Sequence, residues 1–104
     1  MMEEFTRKLT ERATRTIREM QGPYLMLLVE YCGVKLLICG RRGEHAYIAK
    51  IHLEEDAPSL HCGEVEYSPL GLYVFGKGEE DLALKTLEKI HWVIKSRKNL
   101  LCGA

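Results

Sequence analysis

Apolar residues are densest between Pro23 and Gly40, in Tyr24-Leu-Met-Leu-Leu-Val-Glu-Tyr31 and Val34-Lys-Leu-Leu-Ile-Cys39. A two-residue turn at Cys32-Gly33 predicts a β-hairpin over this stretch. That register sets Tyr31 opposite Val34 and Glu30 opposite Lys35. An opposite-charge pair across two strands contributes up to about 1 kcal/mol, so the pairing supports the register. A turn at Gly40-Arg41-Arg42-Gly43 and a further strand over 44–53 follow.

Because side chains alternate along a strand, the two faces can be sorted. Leu25, Leu27, Val29, Tyr31, Val34, Leu36, Ile38, Tyr47, Ala49, Ile51 and Leu53 share one face, which is continuously apolar and predicts the core. The other face carries Tyr24, Met26, Leu28, Glu30, Lys35, Leu37, Cys39, Ala46, Ile48, Lys50 and His52, apolar at its centre and charged at its margins. An apolar patch rimmed by polar groups marks an interaction surface.

The flanks read differently. Phe5, Leu9, Ala13, Ile17 and Met20 recur at three- and four-residue intervals and predict a helix over 3–20, ended by Gln21-Gly22-Pro23. Four threonines lower its intrinsic propensity, so packing has to hold it. Residues 54–59 read as a loop, 60–67 as a fourth strand, Ser68-Pro69-Leu70-Gly71 as a turn and 72–75 as a fifth strand. A second helix over 79–98 has Glu79, Glu80 and Asp81 in its first turn and Lys95, Arg97 and Lys98 in its last, complementing the helix dipole. The expected fold is an α+β two-layer sandwich, helix–five-stranded antiparallel meander–helix, forming a single domain over 1–104 with both helices on one sheet face. The second face then has no helix left to cover it. A homodimer through Met26, Leu28, Leu37, Cys39 and Ile48 is the expected cover.

Composition sharpens this only in places. The first twenty residues lack the apolar run of a secretory signal, and no stretch approaches the about 18 apolar residues of a membrane span, so a cytoplasmic address without membrane partners is expected. Gln21 and Asn99 are the only residues of their kinds, a depletion seen in hyperthermophile proteins, and the source expected is a thermophile or one of its viruses. Cys32, Cys39, Cys62 and Cys102 show no Cys-x-x-Cys spacing; four free thiols are expected, with a disulfide as the alternative and Cys102 placed to link chains.

The formal net charge is zero, but residues 1–53 carry nine Lys/Arg against six Asp/Glu and residues 54–104 six against nine. The basic groups Arg7, Arg12 and Arg15 of the first helix and Arg41 and Arg42 of the hairpin tip form the candidate contact to a nucleic-acid backbone. Three residues, His61, Glu64 and Glu66, are the candidates for hydrolase chemistry, but no metal or nucleophile motif accompanies them and no cofactor is implied. The leading expectation is therefore a small non-enzymatic interaction or assembly module, with nucleic-acid binding as the alternative.

Overall fold

The computed structural model describes residues 2–96. Elements follow the order α1 (Glu3–Thr10), β1 (Arg15–Gln21), β2 (Tyr24–Tyr31), β3 (Val34–Arg42), β4 (Tyr47–Leu53), α2 (Cys62–Val65), β5 (Leu72–Gly76) and α3 (Glu79–Ser96), with a 3-10 turn at Glu54–Asp56. The sheet is an antiparallel meander in the order β1-β2-β3-β4-β5, with helices from both ends of the chain packed on it. The hairpin register is the one set by the charges: Tyr31 pairs with Val34 and Glu30 with Lys35. Cys32 and Gly33 both take positive φ, 54° and 79°, as a two-residue turn matched to right-handed strand twist requires.

Leu25, Leu27, Val29, Tyr31, Val34, Leu36, Ile38, Ala49 and Ile51 join Phe5 and Leu9 of α1 and Leu82, Ala83 and Ile90 of α3 in one buried cluster, so both helices lie on the same sheet face. The two helix N-termini also meet. Glu79 Oε1 accepts hydrogen bonds from the backbone N–H groups of Glu4 (3.1 Å) and Phe5 (3.4 Å), so a first-turn carboxylate of α3 serves the unpaired amides of α1. The Tyr31 hydroxyl donates to the Leu9 carbonyl at the other end of α1, and burial pushes its pKa up to about 12.

Two segments differ from the sequence reading. The helix expected over 3–20 stops at Thr10, and 15–21 form β1. Thr14, Thr16 and Ile17 are β-branched and favour a strand, and pairing with β2 satisfies backbone groups along an edge that a helix would leave open, although Ile17 and Met20 stay exposed. The strand expected over 60–67 is instead coil around the single-turn helix α2. Its buried residues, Cys62 and Val65, are three apart, which is a helical spacing and not a strand spacing. The sheet still has five strands because β1 replaces the lost one.

Gly76 marks the closest approach of β5 to α3. A Cβ there would stand 2.5 Å from the Leu82 nitrogen and 2.6 Å from its Cα. These are backbone atoms, so the helix itself would have to shift. We expect Gly76→Ala to lose about 2 kcal/mol of stability in urea unfolding; a loss below about 0.5 kcal/mol, the range of a neutral surface change, would show that the contact is not tight.

Candidate functional site: the closed second face

The second face is covered by the chain itself. The connection between β4 and β5 folds back across it, and Cys62 and Val65 of α2 pack on Met26, Leu37 and Cys39, with Tyr24, Leu28 and Ala57 at the rim. Met26, Leu37 and Cys39 are each 3% exposed or less. Three of the five residues expected to meet a second copy are therefore buried within the chain, and Leu28 and Ile48 are half-buried. The sequence reading missed this cover because it assigned 60–67 to the sheet.

Three fastenings hold the segment down. A disulfide joins Cys39 on β3 to Cys62 on α2 across 23 residues of sequence, in place of the free thiols expected. No cysteine among the described residues is free, and Cys102 lies outside them. Gln21, at the end of β1, accepts at Oε1 from the Cys62 backbone N–H (2.8 Å) and donates from Nε2 to the Leu60 carbonyl (2.9 Å).

The third fastening is a polar cluster centred on Glu66. Its carboxylate accepts two parallel hydrogen bonds from Arg41, Nε to Oε1 and Nη2 to Oε2, both 2.7 Å, and one from the Tyr24 hydroxyl at 2.5 Å. The paired fork geometry is the strong form of a guanidinium–carboxylate contact. Arg41 holds the Glu66 pKa below the usual carboxylate range even though burial opposes it, and Tyr24 adds to the effect. Burial, and then the hydrogen bond to the Glu66 carboxylate, push the Tyr24 hydroxyl up to about 12.

Lys50 completes the cluster. It is 2% exposed, and Nζ donates to the carbonyls of Glu66 (3.1 Å) and Ser68 (2.7 Å) while lying 4.0 Å from the centre of the Tyr73 ring. The Tyr73 hydroxyl donates to the same Glu66 carbonyl. Burial lowers the Lys50 pKa, opposed by the Glu66 charge. A buried ammonium on two carbonyls and an aromatic face is held in place by the protein. A carboxylate that already accepts three hydrogen bonds is a poor proton acceptor for chemistry. The cluster works as a clasp between β2, β3, β4 and the covering segment.

The candidate residues scatter over the molecule. His61 and Glu64 are exposed, while Glu66 is buried in the clasp, so the three do not converge. Arg41 lies within β3, opposite Ile48, and not at the hairpin tip; its side chain is engaged by Glu66. Arg42 lies 5.9 Å from the centre of the Tyr47 ring, and Arg7 is paired with Glu4 (2.6 Å) and Glu11 (2.8 Å). Arg12 follows α1 and Arg15 begins β1. Because α1 packs on one sheet face and Arg41 on the other, the five arginines do not form one basic surface.

No family model, curated protein or solved structure matches the chain. The remaining feature with chemical content is a cleft of about 230 Å³ at the end of the sheet, lined in part by Ile51, His52, Asp56, Gly71, Trp92 and Ser96. His52 is 1% exposed, and its Nε2 has no hydrogen-bond partner among the described residues. Burial and the Lys50 charge lower its pKa, which favours the neutral imidazole. Among the described residues no three His, Cys, Asp or Glu side chains gather as a metal site, and no helix is long and apolar enough to cross a membrane.

Proposed function

We propose that this protein is a small non-enzymatic assembly module that self-associates through an open edge of its sheet. The observation that carries the reading is where the apolar surface is left. Helices cover one face and the β4–β5 connection covers much of the other, and both edge strands keep exposed large apolar side chains, Ile17 and Met20 on β1 and Tyr73 and Phe75 on β5; Leu60, Tyr67 and Leu70 of the connection and Leu84 and Trp92 of α3 are exposed as well. Tyr73 and Phe75 stack with ring centres 5.9 Å apart, a flat aromatic surface beside the β5 edge. An exposed strand edge presents backbone donors and acceptors that another strand can satisfy. The second face contributes to this reading only at its rim, through Ile48 and Leu28.

Solution mass by light scattering, without reductant, tests the proposal. A dimer or larger species at micromolar concentration is expected. A monomer up to about 100 μM would exclude assembly of useful strength, since a weaker contact contributes less than about 5.5 kcal/mol.

A further inference from the structure

The edge strand β1 is exposed along nearly its whole length, on both faces, with Ile17 at 41% and Met20 at 44%. Its partners on β2 fix which residues share a face. Arg15, Ile17 and Glu19 pair with Glu30, Leu28 and Met26 and so lie in one row on the second-face side. Read along the strand, the row is positive, apolar, negative. Read backwards it is negative, apolar, positive. A strand with that pattern complements an antiparallel copy of itself.

We propose that the chain forms a two-fold dimer by pairing β1 with the β1 of a second copy, antiparallel and centred on Ile17. The inference rests on the assembly reading and names its edge and register. With Ile17 on the axis, Arg15 stands opposite Glu19 of the partner subunit, and Glu19 opposite the partner's Arg15. The two Ile17 side chains meet between these ion pairs. Isologous contacts of this kind, one patch meeting itself, are how most two-fold dimers are built.

Charge favours this register over its neighbours. Centring on Arg18 sets two arginines directly opposite, and centring on Glu19 sets two glutamates opposite; like charges in those positions are destabilising. Centring on Thr16 puts Arg15 against Ile17. Charged side chains on an edge strand ordinarily discourage pairing. Here they repel in the Arg18- and Glu19-centred registers and attract in the Ile17-centred one, which makes two ion pairs where the Thr16-centred register makes none.

The groups concerned are available. Arg15 has no ion pair among the described residues, and Glu19 holds only the Gln21 amide, through Oε2 at 3.1 Å. Arg18 projects to the opposite side and is engaged by Glu3 at 3.0 Å, so it does not compete for Glu19. The other edge, β5, has five residues, Leu-Tyr-Val-Phe-Gly, with no charge to set a register.

Sedimentation equilibrium on wild type, Arg15→Glu and Glu19→Arg tests this. Each single change turns two attractive pairs into two repulsive ones and is expected to weaken the dimer by about tenfold or more. Both positions are exposed, but Arg15→Glu sets a second carboxylate opposite Glu30, so urea unfolding of each variant is measured alongside to show that it is folded at the concentrations compared. Mixing the two variants one to one should restore dimer. The carboxylate introduced at position 15 of one chain then faces the guanidinium introduced at position 19 of the other, and the unaltered Glu19 of the first faces the unaltered Arg15 of the second. A monomeric wild type would overturn both this inference and the assembly reading. A dimeric wild type whose variants dimerise equally well would overturn only the β1 contact. Weakened variants that stay apart when mixed would overturn the Ile17-centred register.

Discussion

Glu66→Ala should destabilise the protein by roughly 3 kcal/mol, the low end of what losing one partner of a buried ion pair costs. The low end is appropriate because the Arg41 side chain keeps 25% of its exposure, while that of Glu66 keeps only 6%. The substitution leaves the Arg41 guanidinium and the Tyr24 hydroxyl partly buried without their acceptor. In a domain of this size the melting temperature should fall by roughly 12–24 °C. Replacing both members, Arg41→Met with Glu66→Leu, should recover much of the loss, because the penalty lies in the orphaned charge. A Glu66→Ala variant within about 1 kcal/mol of wild type in urea unfolding would show that the clasp does not hold the covering segment.

The same group sets part of the acid sensitivity. The Glu66 pKa is lower in the folded protein than its ordinary value of about 4.3, so its contribution is complete above that value and is lost as pH falls through the lowered one. His52 acts in the same direction at higher pH. Its folded pKa is also lowered, so the unfolded chain takes up the proton first and stability declines below about pH 6.5.

Replacing the Cys39–Cys62 disulfide by two alanines should cost a further, separable roughly 3 kcal/mol, estimated from the loop of 23 residues it closes. The effect acts mainly on the unfolded chain, which gains freedom when the loop is opened. The double substitution isolates this bond, whereas reductant would also act at Cys32, which is not a free thiol. Chemical denaturation of the Cys39→Ala, Cys62→Ala variant gives the number. A midpoint equal to that of wild type would mean that the clasp and the apolar contacts confine the segment by themselves.

Much of the fold could be read from local signals. Glu30 opposite Lys35 and the positive-φ turn at Cys32-Gly33 identified the hairpin, and alternation identified the core face through Ile51. The long apolar stripe of α3 and its acidic first turn identified that helix. Two places failed for the same reason: a short apolar series fits more than one period. Ala13, Ile17 and Met20 continue a helical stripe that begins at Phe5, yet β2 offers an edge that only a strand can use. Thr14 and Thr16 were the warning. Residues 60–67 alternate well enough for a strand, whereas the Cys62–Val65 interval was the helical clue.

The site was harder to read because its contacts join residues far apart in sequence. That Met26, Leu37 and Cys39 needed cover followed from their pattern; that the cover is the chain's own α2 did not. Arg41 looked like a hairpin-tip cation because Gly40 and Gly43 bracket it, but β3 runs on through Arg42 and delivers Arg41 to Glu66. Nothing in the spacing of Arg41 and Glu66, or of Cys39 and Cys62, announces either pair.

The meander also bears on how the chain finds its shape. Each strand pairs with the next in sequence, so most of the sheet assembles by short closures, the longest being the 18-residue connection that carries α2. The contact between α1 and α3, including Glu79 on the amides of Glu4 and Phe5, joins residues about 75 apart. Closing a loop of that length costs roughly 2–3 kcal/mol more than closing a hairpin. The loop-closure part of the entropy cost thus falls most heavily where the two ends of the chain meet, in the helical layer, while every ordered residue of sheet and helix carries its own share of the rest.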